Sequence, residues 1–299
     1  MEELHIKNKP CLRSTADLLS FFKRQMPLLR IFLIHLPVAF LTCYMFLAPP
    51  VMAQPWDVPY VPTPYDVVDQ MLDLAEVGPG DYVIDLGSGD GRIVIGAILR
   101  GAYGHGIDID PARIREAGSN AREAGLENRL LFIEGNIFDA DISRASVITL
   151  YLLNSINMKL RPVLLNTLKP GSRVISHVFD MNEWMPDKVI TADNDPVYLW
   201  IIPARVAGLW TWKTGQYVCS MNVQQEFQKI ALKVSAGNTP LAVDNPFLSG
   251  ERISFRATRP NSGEIFLYSG YVNEDKITGT VQIHHPDSQT VENWNATRK

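Results

Sequence analysis

Cysteine is scarce in this chain. Its 299 residues include three: Cys11, Cys43 and Cys219. Two fall in an apolar leader, so the body has one thiol and no internal disulfide. No CxxC pair or Cys/His cluster offers a zinc site, so no metal is expected, and Cys219 reads as a small apolar side chain in a strand. Positive charge is not in surplus either. The first 53 residues hold six Lys or Arg and three Asp or Glu, which leaves 22 basic and 29 acidic residues and a net charge of −7 beyond them. A body that acidic is poorly suited to gripping phosphate backbones, so no nucleic-acid partner is expected. Fixed-period repeats and low-complexity tracts are absent. What remains is ordinary globular usage, 46% hydrophobic and 20% charged, enough for one large domain or two modest ones.

Lys23, Arg24 and Arg30 precede an apolar stretch, Ile31–Leu47, about as long as a short membrane span. Pro49, Pro50 and then Val51-Met52-Ala53 follow, a small-residue cleavage pattern. Residues 1–53 therefore read as a leader, either a signal peptide cut after Ala53 or an uncleaved membrane anchor through 31–47. The next basic residue is Arg92, and the positive-inside rule then places the body in an exported (periplasmic) or membrane-anchored position. Met26 is an alternative start, and a different start or topology leaves the body cytoplasmic.

Residues 54–206 read as one α/β domain. It begins with a proline-dense arm, Gln54–Asp66, which is excluded from helix interiors. Helices are expected at Val67–Glu76, Arg92–Arg100, Pro111–Ala124 and Ile156–Leu168. Strands are expected at Tyr82–Leu86, His105–Ile109, Leu130–Ile133, Ser146–Leu152 and Arg173–Val178, with a closing hairpin around "DNDP". Apolar strands alternating with amphipathic helices predict a Rossmann-like parallel sheet with helices on both faces. From Ala207 to Lys299 the helical pattern stops. Short alternating runs at Tyr217–Val223, Lys229–Val234, Arg252–Ala257, Ile265–Tyr271 and Ile277–His284 predict an antiparallel β module. Trp200, Trp210 and Trp212 are expected at the junction of the two.

The chemistry centres on "VIDLGSGDGR". In open parallel sheets, ligands collect at the carboxyl ends of strands where strand order reverses. Gly87, Gly89 and Gly91 follow the first strand, and glycine lets backbone approach a ligand closely. The third glycine comes one place too early for a dinucleotide fingerprint, and Arg92 fills its position, which disfavours a nicotinamide oxidoreductase. The turn suits a ligand with a carboxylate and an amine near the helix start and a ribose alongside. Asp108 ends the second strand, where a carboxylate can accept both ribose hydroxyls.

"VIDLGSGDGR" with "GIDID" resembles the first two motifs of class I S-adenosylmethionine-dependent methyltransferases. "PYVPTPYDVVDQML" before it narrows the resemblance to the ATP synthase c-subunit lysine methyltransferase family and its bacterial relatives, over roughly Pro59 to Asp187. The resemblance implies S-adenosyl-L-methionine as cofactor. It implies that Asp85, Gly87, Ser88 and Gly89 line its methionine end, that Asp108 holds the ribose, and that Asn136 and Ile137 lie near adenine. Asn136 departs from the Asp frequent there. The arm, with Tyr60 and Thr63, would fold over the cofactor. The activity implied is methyl transfer to a nitrogen, on a protein lysine or a small-molecule acceptor. The alternative is an exported, catalytically silent binding module with a methyltransferase fold.

The acceptor wall should come from "TLYLLNS", which lacks the Asn/Asp-Pro-Pro-aromatic motif used for planar nitrogens. Tyr151 and Asn154 are its candidates, with strand packing the competing reading for Tyr151. His177 and Asp180 read either as a base beside the acceptor or as a loop-capping pair. His284 and His285 point to opposite faces of a strand, so joint chelation is not expected.

Overall fold

The computed structural model describes residues 60–260 and 262–299. The expected leader, its cleavage site and the start of the arm lie outside those residues. Among the described residues, no helix is long and apolar enough to cross a membrane.

Helix α1 spans Tyr65–Leu74, with Pro64 at its N-cap and Asp66 in its first turn. The extended arm thus ends two residues earlier than expected. Proline is tolerated just at a helix start, and an acid there complements the helix dipole. Val67, Val68, Met71 and Leu72 form its buried stripe. The order then runs β1 Tyr82–Leu86, α2 Arg92–Leu99, β2 Tyr103–Asp108, α3 Pro111–Glu123, β3 Leu131–Glu134, β4 Val147–Leu150, α4 Asn154–Thr167 and β5 Arg173–His177. Asp110 caps α3 by accepting the Ala112 N–H at 2.7 Å. Strands β6 Lys188–Ala192 and β7 Asp195–Ile201 close the sheet. Asp193 and Asn194 between them both have positive φ, 49° and 66°, as a two-residue hairpin turn requires.

The seven strands lie in the order β3-β2-β1-β4-β5-β7-β6. The first five are mutually parallel, and β7 runs antiparallel between β5 and β6. Strand order reverses between β1 and β4, and the site forms there. Six residues expected in the first five strands fall outside them: Ile109, Leu130, Ser146, Tyr151, Leu152 and Val178. Ser146 instead donates its hydroxyl to Asp81, at 2.7 Å. Val178 breaks away because its φ is 65°.

The carboxy-terminal strands close into a barrel: β8 Gly208–Thr214, β9 Tyr217–Glu226, β10 Lys229–Ala236, β11 Thr239–Ser249, β12 Arg252–Thr258, β13 Ile265–Asn273, β14 Lys276–His284 and β15 Gln289–Arg298. The sequence reading missed β8, β11 and β15. β11 carries Pro240 and Pro246 and a register shift between Asp244 and Phe247. β15 buries just Trp294 and Ala296 of its ten residues. Inside, Trp212, Phe255, Tyr268 and Trp294 pack edge-on and stacked, with ring centroids 4.6–6.0 Å apart.

Trp210 and Trp212 therefore build the barrel core, whereas the seam with the sheet belongs to Trp184 and Trp200. Trp184 is fully buried, 5.8 Å from Trp200 and 6.0 Å from Phe227 of the β9–β10 turn. Its indole N–H donates to Gln228 at 3.0 Å.

Gly270 and Gly279 face each other on β13 and β14, with Trp294 opposite Gly279 on β15. A Cβ on Gly279 would lie 2.1 Å from the Ser269 carbonyl oxygen. Gly279→Ala is expected to cost about 1–3 kcal/mol of stability, read by chemical denaturation.

Candidate active site

The ladder between β1 and β4 sets Asp85 directly beside Thr149. Asp85 is 1% exposed, and Thr149 donates its hydroxyl to Asp85 Oδ1 at 2.6 Å. The other oxygen, Oδ2, has no protein partner, and neither has the buried Ser88 hydroxyl two residues past the strand end. Burial pushes the Asp85 carboxyl up to about 7 against the help of Thr149. Gly87, Gly89 and Gly91 carry φ of 79°, 53° and 82°, and the turn they make delivers the chain into α2.

Across the turn, Asp108 at the end of β2 faces these glycines. Its Oδ2 accepts the Gly89 N–H at 2.8 Å and its Oδ1 the Asp110 N–H at 2.9 Å. A carboxylate offers about four acceptor positions, so capacity for ribose hydroxyls is left. Asn136 is exposed and spends its carbonyl oxygen on the Phe138 N–H at 3.1 Å, capping a short 3-10 turn, Ile137–Asp139. Ile137 is half-buried against the sheet core.

The arm lies over the turn. A Cβ on Gly89 would come within 2.6 Å of the Tyr60 ring, and the Arg113 guanidinium covers that ring at 4.4 Å. Arg92, which displaces the expected glycine, fastens the arm. It donates to the Thr63 carbonyl at 2.8 Å and to Asp90 at 2.9 Å. Burial opposes ionisation of Asp90, but its bonds to Arg92 outweigh this and hold its carboxyl low. Thr63 turns its hydroxyl away from the glycines, to His177 Nδ1 at 3.3 Å.

At the ends of β4 and β5, Tyr151 packs against His177 with centroids 4.3 Å apart, and Phe179 stacks at 6.3 Å on the same ring. His177 is the last strand residue rather than a loop residue, and it is 1% exposed. Its Nε2 has no hydrogen bond and lies 3.9 Å from Asp195 Oδ2. Burial lowers the His177 pKa, with Asp195 opposing. Burial and the same acid raise that of Tyr151. Asp180 does not pair with His177. It accepts the Asn154 amide at 2.7 Å instead, and Asn154 begins α4. Val178, between His177 and Phe179, holds a left-handed φ that costs a β-branched residue about 1–3 kcal/mol.

Thr149, Asp195, Phe179 and Asn157 were missed from sequence. Thr149 was legible as the strand neighbour of Asp85 once the sheet order was assumed. Asp195 comes from a hairpin far along the chain, which no local spacing reveals. Among the described residues no group of His, Cys, Asp and Glu could hold a metal ion.

An unpaired buried acid and hydroxyl, beside glycines that expose backbone, fit a ligand bearing an amine and a sugar. The model of the ANTKMT methyltransferase domain matches residues 85–188. A protein-lysine N-methyltransferase of Saccharolobus islandicus is 45% identical over 151 residues, 48% of this chain and 94% of the relative. The chain belongs to this methyltransferase family. An ATP synthase c-subunit lysine N-methyltransferase of Xenopus laevis is 27% identical over 147 residues, 49% of this chain and 65% of that protein. A solved RNA methyltransferase from Salinibacter ruber, bound to S-adenosyl-L-homocysteine, aligns at 53% identity and a TM-score of 0.48 over 49% of this chain and 96% of its own. The methyltransferase is an enzyme that uses S-adenosyl-L-methionine. The alternative of a silent binding module gains no support from these relatives. The family match ends at residue 188, before the barrel begins at Gly208.

Asp85 makes the stability of the fold pH-sensitive. An unfolded chain loses this proton near 3.8, the fold near about 7, so the contribution is full below 3.8, falls as pH rises through that window, and is flat above it. Asp85→Asn is expected to remove this slope, read as melting temperature from about pH 4 to about pH 8.

Proposed function

We propose that this methyltransferase modifies a lysine side chain of a protein, with residues 31–47 tethering it to a membrane. The aromatic cluster at the ends of β4 and β5 carries the reading: the buried His177 imidazole and the Phe179 ring both pack on Tyr151. The lysine methylation for which its relatives are named supports it.

The cofactor, when bound, supplies an activated methyl group on a sulfonium. Asp85 and Ser88 would hold its amino-acid end, Asp108 its ribose, and Tyr60 would cover it. The chain's own contribution is alignment and proton handling. A lysine arrives as an ammonium ion and attacks as a neutral amine. Tyr151 and Phe179 receive the cation on their ring faces. Desolvation in the same enclosure lowers the lysine pKa. His177, kept neutral by burial, accepts the proton at Nε2, and Asp195 stabilises the imidazolium that results. Thr63 fixes the ring through Nδ1.

Mass spectrometry of membrane and soluble proteins from cells with and without the chain is expected to show a methyl-sized increment on lysine lost from the membrane fraction. Increments lost from RNA alone would overturn the reading. Asp108→Ala is expected to weaken S-adenosylmethionine about tenfold or more by calorimetry, because a charged acceptor for hydroxyls is removed. His177→Gln should leave that affinity intact and lower the transfer rate about a hundredfold, as befits a lost proton acceptor.

A further inference from the structure

Helix α4 carries an asparagine in its core-facing stripe. Asn157 is fully buried, beside Ile156, Leu160 and Leu164. Asparagine is a weak helix former, and its Oδ1 has no partner. A leucine of similar size would avoid both costs. What asparagine adds is a donor. Its Nδ2 donates to the Phe179 carbonyl at 3.0 Å, and the Asp180 carbonyl lies 3.4 Å away. Ser176, the residue before His177, donates its hydroxyl to the same Phe179 carbonyl at 2.7 Å.

That carbonyl lies just past an unfavourable turn. The Phe179 N–H donates to the His177 carbonyl at 2.8 Å, a three-residue turn with Val178 at its centre. Valine at φ 65° is a true outlier, and its N–H is tied to Pro196 O at 2.8 Å. Such backbone persists where surrounding bonds over-determine it. Its result is specific: the side chains on either side, His177 and Phe179, both pack on Tyr151. In extended backbone, neighbours two apart share a face, but the turn decides which direction that face takes.

We propose that Asn157 is a positioning residue for methyl transfer. Its amide, with the Ser176 hydroxyl, clamps the Phe179 carbonyl and keeps the Val178 turn closed, so that His177 and Phe179 face Tyr151. The inference rests on the acceptor site lying at these three rings. Losing the amide lets Val178 return to negative φ and swings His177 from its place between Thr63, Tyr151 and Asp195.

The test uses the full-length chain with Asn157→Leu, Val178→Gly and the pair, and Ser176→Ala as a milder variant. Cofactor affinity is read by calorimetry with S-adenosylmethionine. Transfer is read with methyl-tritiated S-adenosylmethionine on protein extract from cells lacking the chain. The His177 ring protons are titrated by NMR. Asn157→Leu is expected to keep the melting temperature and cofactor affinity, to lower transfer about ten- to a hundredfold, and to move the His177 pKa up toward its ordinary value. Ser176→Ala should shift both in the same direction by less. Glycine adopts φ 65° without strain, so Asn157→Leu should cost less in the Val178→Gly background, the signature of coupled residues. Equal fold-losses with and without Val178→Gly, or wild-type transfer and an unmoved His177 titration in Asn157→Leu, would overturn the proposal. If the wild-type chain labels no protein, the lysine reading fails, while the His177 titration still decides the role of Asn157.

Discussion

Parallel pairing of β1 with β4 forces a carboxylate and a hydroxyl together in a dry place. Asp85 and Thr149 are ladder partners at the point where the strand order turns back on itself. One carboxylate oxygen is satisfied across the ladder and the other is not. An acid buried in this way is costly without a counter-charge. Burial therefore favours the protonated carboxyl, and an amine-bearing cofactor would supply the missing counter-charge. The glycines that follow have no such choice to make. They fix the backbone whose N–H Asp108 accepts, so main chain sets the shape of the proposed cofactor half of the site.

The proposed acceptor half is built differently. Tyr151, His177 and Phe179 are side chains on strand ends, and what aims them is a turn in a sparsely populated conformation. Rigid main chain suits a cofactor that is the same in every turnover. Side chains held by a polar network suit a partner that must be admitted, stripped of water and released. The loop that carries Phe179 continues to Trp184, where Phe227 and Gln228 of the barrel hold it. The barrel thus contacts the catalytic domain at the far end of the segment proposed as the acceptor wall.

Much of the cofactor half was legible in the sequence because it is local. Strand, glycine turn and helix are contiguous, and the acid closing β2 lies a fixed distance on. Periodicity found the first five strands to within a few residues. Among the ends it misplaced are Ser146 and Val178, where a side-chain hydrogen bond and a left-handed residue override an apolar pattern. The acceptor half was only half legible. Tyr151 and His177 stood out as residue types, but Asp180 was given to His177 when its partner is Asn154. Thr63 was read as a cofactor contact, and its pairing with His177 was not foreseen. These pairings join residues 26 and 114 apart, which sequence spacing does not encode.

The barrel closes through a strand that hardly resembles one. β15 is mostly polar, yet it bonds to β14 on one side and to β8 on the other. Its two buried side chains include the indole at the centre of the aromatic cluster. Removing these ten residues would uncover two unsatisfied ladders at once and empty the middle of the core. Bare ladders invite pairing between molecules. This mostly polar strand is therefore the module's safeguard against self-association, and a truncation that looks harmless by composition would turn a closed cylinder into an adhesive sheet.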